Sequence, residues 1–154
     1  MKANIWIEQI GKIVSILVTT LATENILNLK IRNYHWNVKG LNFSDHHKFF
    51  EDLYNESSEN IDEIAERIRM LGEFTPANYE TYLKESIINE EKWENVSAGK
   101  MMEALLADKE TIIRQMRADI DTVGELGDVG TEDFLTGLIQ KHEKNAWMLR
   151  SMIS

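Results

Sequence analysis

Cysteine is absent from all 154 residues, which excludes a disulfide framework, a thiolate metal site, a catalytic thiol and an iron–sulfur cluster. Proline occurs once and glycine eight times. That is too little of either for collagen-like or disordered material, and it fits long uninterrupted helices. Positive charge is also scarce: 17 Lys and Arg stand against 26 Asp and Glu, a formal net charge of −9. The phosphate backbone repels such a chain, so generic nucleic-acid binding starts at a disadvantage and cationic partners are favoured. No run reaches the ~18 to 20 apolar residues of a membrane span. The stretch Ile13–Ala22 (IVSILVTTLA) faintly imitates a secretory signal, but Glu8, Gln9 and Lys12 interrupt its approach. These features predict a soluble cytoplasmic protein.

What is present is a core and helical periodicity. With 43% hydrophobic residues, the chain suits one domain over 1–154. Ile10, Ile13, Val14, Leu17, Val18 and Leu21 form one stripe of a first helix, expected from about Asn4 to Trp36 with a loop at Gly40. A second helix is expected from Ser44, as N-cap, to Leu71, with Gly72 and Pro76 as terminators. Its stripe is Phe50, Leu53, Ile61, Ile64, Ile68 and Leu71. A short helix is expected around Tyr79–Ile88. A third long segment covers Ala98–Val123, with Met102, Leu105, Ile112, Ile113, Met116 and Ile120 on one side. A fourth starts near Thr131 and carries Leu135, Leu138, Ile139, Ala146, Leu149 and Ile153. The methionines and tryptophans mostly fall on such stripes and are expected in the core. The fold class is therefore all-α, a four-helix bundle with a short extra helix in a long crossover, as in ferritin-like folds.

The residues with metal chemistry are His35, His47, Asp62 and Glu66. Imidazole and carboxylate together suit Fe(II), Zn(II) and Mn(II). Asp62 and Glu66 are four residues apart and share a helix face. That face lies about 120 to 180° from the stripe, so the acids point away from their own core. His47 precedes Asp62 by fifteen residues, about 22 Å along a straight helix, so no single ion touches both within one chain. If the four form one site, the acids come from one subunit and the histidines from another. Two antiparallel second helices crossing near Asn55 and Glu56 would produce two equivalent sites.

The stretch YHWNVKGLNF (Tyr34–Phe43), then His47, then DLYNESSENIDEIAERIRMLG (Asp52–Gly72) resembles the Dps family, small ferritin relatives that protect DNA in starved bacteria. The resemblance runs essentially the whole chain, to Trp147-Met148-Leu149. It implies a hollow dodecamer built on twofold dimers, with a ferroxidase centre between subunits. His35 and His47 then become metal ligands from one chain, and Asp62 and Glu66 ligands from its mate. Trp36 matches a family tryptophan beside the iron, where it intercepts oxidising equivalents; an aromatic packed at an interface is the equal alternative. His46 departs from the family pattern and creates a HisHis pair, though the spacing favours His47 as ligand.

The resemblance further implies oxidation of Fe(II) by hydrogen peroxide, or more slowly by O2, storage as ferric oxyhydroxide and protection against oxidative stress. Other divalent metals such as Zn2+ are compatible with the same ligands. His142 lies on the apolar stripe without the preceding Glu of a Glu-x-x-His motif, so it is expected as a packed histidine. Glu51, Asp52 and Glu56 are candidates for nucleating mineral. Asp119, Asp121, Glu125 and Asp128 are candidates for an acidic pore that draws Fe(II) inwards. The alternative functions are a DNA-compacting protein and a non-catalytic shell. Lys2 alone precedes the first helix, where DNA-binding relatives carry a lysine-rich tail, and twelve chains at −9 each disfavour DNA further.

Overall fold

The computed structural model describes residues 3–92 and 94–154. The expectations touching Lys2 and Trp93 lie outside the described residues. Four long helices and one short one follow in the order α1 (Ile10–Asn37), α2 (Phe43–Met70), α3 (Tyr79–Glu85), α4 (Ala98–Glu125) and α5 (Val129–Ile153), with no strand among the described residues. Helix α1 packs against α2, and α4 against α5, as two hairpins. The crossover carrying α3 lies against α1 and joins them into an all-α, ferritin-like bundle.

The stripes read from the sequence form most of the core. Ile13, Leu17, Leu21, Phe50, Ile64, Ile68, Leu105, Met116, Leu135 and Leu149 are all buried. By length and mean hydropathy alone α1 could cross a membrane, but most of its apolar positions are packed in this core. The outer stripe positions are less buried than expected: Ile61, Ile113 and Ile120 pack only at the core margin, and Ile153 is exposed. The tryptophans also correct the expectation. Trp6, Trp36 and Trp147 are 94%, 63% and 60% exposed, so none of the described tryptophans belongs to the core.

Helix starts differ from the expected ones. Residues 4–9 are not helical; Trp6 adopts φ 60°, a left-handed conformation that no helix accommodates. The cap of α2 is Asn42, also left-handed at φ 63°, so Ser44 already lies in the first turn. Gly72 ends α2 at φ +91°, and a Cβ there would lie 2.9 Å from the Ala3 nitrogen, so glycine also admits the N-terminal segment.

Asp128 caps α5: Oδ1 accepts from the Thr131 amide at 3.0 Å and from Arg67 Nη2 at 3.1 Å. Thr131 Oγ1 accepts from Arg67 Nε at 2.9 Å, which ties α2 to the start of α5. Asp128 is therefore buried and engaged, as is Asp119, which accepts from Gln115 Nε2 at 2.9 Å. Of the four acids considered for a pore, only Asp121 and Glu125 are exposed on this chain.

Candidate metal centre

The tight connection between α1 and α2 builds the histidine half of the site. Gly40, at φ 103°, and Asn42 reverse the chain within a few residues, and the Phe43 amide donates to the Gly40 carbonyl at 3.2 Å. The last turn of α1 is thereby set beside the first turns of α2, and His35 faces His47.

Their rings stack with centroids 3.7 Å apart and planes 16° from parallel. His35 Nδ1 lies 2.8 Å from the His47 carbonyl oxygen, and His47 Nδ1 lies 2.7 Å from the His35 carbonyl oxygen. A carbonyl only accepts, so both rings carry a proton on Nδ1. The neutral form of each ring then carries its lone pair on Nε2, and each ring is fixed in orientation, which is what a metal-ligating imidazole requires.

Aromatic neighbours hold the pair at both ends. Phe43 stacks on His47 at 5.0 Å, and Tyr54 presents its edge to His35 at 5.1 Å. The Arg32 guanidinium lies 4.2 Å above the Tyr54 ring and donates through Nε to Asn28 Oδ1 at 2.9 Å. Asn28 Nδ2 in turn donates to the Tyr54 carbonyl at 3.0 Å. Arg32 and Asn28 were not singled out from the sequence; only the one-turn spacing of Asn28 and Arg32, leading into the HisTrp pair, could have marked them. Of the HisHis pair, it is His47 that meets His35. His46 has its Nδ1 buried without a partner.

Asp62 and Glu66 are exposed on the C-terminal half of α2, remote from the histidine pair at its start. Among the described residues of one chain, no three His, Asp or Glu side chains are grouped to hold a metal. The four expected ligands thus fall into two half-sites, and Trp36 stands exposed beside the histidine half.

His142 is fully buried, and its neighbours were missed from the sequence. Lys109 Nζ lies 3.1 Å from His142 Nδ1, and Glu24 Oε2 lies 3.1 Å from His142 Nε2, too obliquely for an aligned hydrogen bond. Burial would push the Glu24 carboxyl up, but His142 and Lys109 outweigh it and hold the group down at about 2. Burial pushes Lys109 below the usual lysine range. His142 is pushed down by burial and then by the Lys109 charge. The signal for these residues was a charge at core register: Glu24 follows Leu17 and Leu21, and Lys109 sits between Leu105 and Ile112.

A ferritin-like domain model matches residues 14–154. The DNA protection during starvation protein 2 of Bacillus anthracis is 36% identical over 143 residues, covering 93% of this chain and 97% of the relative. The crystal structure of Dps from Staphylococcus aureus superposes with a TM-score of 0.90 at 35% identity, covering 94% of this chain and 96% of that one. The chain belongs to the Dps family. A Vibrio cholerae Dps protein, described as one of the ferritin-like diiron-carboxylate proteins, gives a TM-score of 0.93 at 30% identity and covers 100% of this chain and 98% of that one. Against this Dps background, the Glu24–His142–Lys109 cluster places a lysine side chain inside the bundle, beside fully buried His142.

Proposed function

We propose that the protein is an iron-oxidising and iron-storing mini-ferritin whose ferroxidase site forms between two subunits. The observation that carries this reading is the His35–His47 pair, locked through Nδ1 so that two Nε2 lone pairs are free. In the proposed site His35 and His47 of one chain hold Fe(II), and Asp62 and Glu66 of a twofold mate complete the ligand set with carboxylate oxygens. Exposure of both acids supports their use in trans.

The substrates are Fe(II) and hydrogen peroxide, with O2 as the slower oxidant. Two Fe(II) ions each give one electron to peroxide, and hydrolysis to ferric oxyhydroxide frees four protons for each peroxide consumed. The protein's part is to fix mixed nitrogen and oxygen ligands while leaving a position open. Glu51, Asp52 and Glu56 then serve the mineral on the inner wall of a dodecameric shell. Glu56 is only half-buried and accepts from Asn145 Nδ2 at 2.6 Å, so it reaches that wall from inside the bundle. Zn2+ suits the same ligands as a competitor.

The test is anaerobic loading with Fe(II) followed by a peroxide pulse, with ferric absorbance recorded for wild type and for Asp62→Asn/Glu66→Gln. Fast oxidation into soluble product, slowed at least tenfold in the variant, is expected. Equal rates, or precipitation as in plain buffer, would leave a shell without this chemistry.

A further inference from the structure

Asn28, Arg32 and His35 follow one another at four and three residues on α1, so they share one face. His47, Tyr54 and Ser58 share a face of α2, at spacings of seven and four. The α1–α2 hairpin sets these faces against each other in antiparallel order. Asn28 Nδ2 reaches Ser58 Oγ at 3.1 Å, Arg32 covers the Tyr54 ring, and His35 stacks on His47. Four rings thereby stand in a row, Phe43, His47, His35 and Tyr54, and the Arg32 guanidinium closes the end.

A single hydrogen bond through Nδ1 lets an imidazole swing unless its faces are covered, and the two histidines are covered differently. His47 has Phe43 on its outer side; His35 has Tyr54, which is itself only half-buried. What holds Tyr54 is a closed triangle. Arg32 Nε donates to Asn28 Oδ1 at 2.9 Å, Asn28 Nδ2 donates to the Tyr54 carbonyl at 3.0 Å, and the guanidinium lies 4.2 Å above the Tyr54 ring. Both ends of the Asn28 amide are used. Among the described residues Arg32 pairs with no carboxylate, and its charge stands one ring away from an imidazole proposed to bind Fe(II). Like charges repel, so electrostatics alone disfavours an arginine at this position. The planar stack on Tyr54 is what the position uses.

We propose that Arg32 is a positioning residue of the metal centre: it holds Tyr54 against His35 and so fixes where the His35 Nε2 lone pair points. This role rests on the reading of His35 as a metal ligand. It sets the task of Arg32 against its charge, which gives the effect a sign. A guanidinium acting only through its field weakens binding of a divalent cation, and its removal would tighten binding. A guanidinium that steadies the ring row does the opposite: its removal frees His35 to turn and weakens binding. Asn28 serves the same end, because it grips Arg32 and Tyr54 at once.

Two measurements on the full-length protein test it. The first titrates wild type, Arg32→Gln and Arg32→Lys with Co2+, without iron, and follows the visible ligand-field bands. Affinity should fall about tenfold in Arg32→Gln, with a shift of those bands, as loss of a ligand's outer support does. Arg32→Lys keeps a cation over the ring and should recover most of the loss. Arg114→Gln removes the same charge where the guanidinium reaches Thr111 of its own helix, and should match wild type. Equal or tighter binding in Arg32→Gln would overturn the proposal, as would an equal loss in Arg114→Gln or no recovery with lysine. The second measurement needs no metal. Exchange of the carbon-bound ring proton of His35 in D2O is read by mass spectrometry on a tryptic peptide with His35 as its one histidine. It should quicken several-fold in Arg32→Gln while exchange at buried His142 stays unchanged; equal His35 exchange in both proteins would overturn the positioning role. Absence of Co2+ binding by wild type would instead sink the metal-centre reading, and the exchange would still decide whether Arg32 holds His35.

Discussion

His35 and His47 each donate Nδ1–H to the other's backbone carbonyl, at 2.8 and 2.7 Å, so each fixes the other's free nitrogen. This reciprocity is a property of the α1–α2 hairpin itself and needs no partner chain. The candidate carboxylate ligands Asp62 and Glu66 lie elsewhere on α2, and the consequences of the proposed division can be tested.

The first consequence is complementation. His47→Ala keeps the acids, and Asp62→Asn keeps the histidines, so each homogeneous protein should lose most of its oxidation rate. Refolding the two together gives mixed dimers with one wholly intact site and one doubly damaged site. With random pairing about a quarter of all sites are whole, and about a quarter of the wild-type initial rate should return. Rates that stay at the sum of the two inactive parents would show that the ligands come from one chain.

A second consequence follows from the charge. At −9 per chain, the protein should give no mobility shift with duplex DNA at moderate salt and without divalent ions. A clear shift under those conditions would restore the DNA-compacting reading, despite its electrostatic handicap.

The bundle and the candidate ligands were legible because both depend on spacing. Ile13, Leu17 and Leu21 repeat at helical intervals, and the distance from His47 to Asp62 rules out a shared ion in one chain whatever the packing. Helix starts were less legible. Ser44 and Asn42 are equally good cap residues by chemistry, and it is the turn from Gly40, with positive φ at Asn42, that places the helix start there. Trp147 read as core by stripe because periodicity cannot distinguish a face buried in the bundle from one left exposed by a single chain. Lys109 and Glu24 were passed over for a related reason: a charge at a core register becomes informative only when its partners on other helices are known.

Asp128 illustrates how tertiary contact turns a surface-type acid into a structural one. It caps α5 through Thr131 and pairs with Arg67 of α2 while almost fully buried. Asp128→Ala should remove a cap worth ~1 kcal/mol and leave Arg67 without its carboxylate partner, for a total loss of about 2 to 4 kcal/mol. The urea midpoint should fall accordingly at unchanged m-value. Asp128→Asn retains the cap acceptor and should lose less. A midpoint shift within error for Asp128→Ala would mean that the Arg67–Thr131 bond carries this junction alone.

Acid sensitivity should come from His142. Its folded pKa lies below the ordinary 6.5, because burial and then the neighbouring Lys109 charge oppose a second positive charge, though Glu24 and Glu56 pull the other way. Below pH 6.5 the unfolded chain therefore binds a proton on this ring that the folded chain refuses. Stability should fall as pH drops through that window, by up to ~1.4 kcal/mol per pH unit until the folded pKa is reached. Glu24 acts lower: with a folded pKa of about 2, its contribution is complete above the ordinary 4.5 and is lost as pH falls towards 2. Lys109, held below 10.5, acts in the same direction as His142: as pH rises towards 10.5 the folded chain gives up this proton first, and stability should rise. Urea midpoints of wild type and His142→Gln, compared between pH 7 and pH 5 in one state of assembly, isolate the first effect. The variant should be less stable than wild type at pH 7 and show a flatter profile from 6.5 downwards. Parallel profiles for the two proteins would assign the acid sensitivity to other groups and leave His142 protonated or neutral alike in both states.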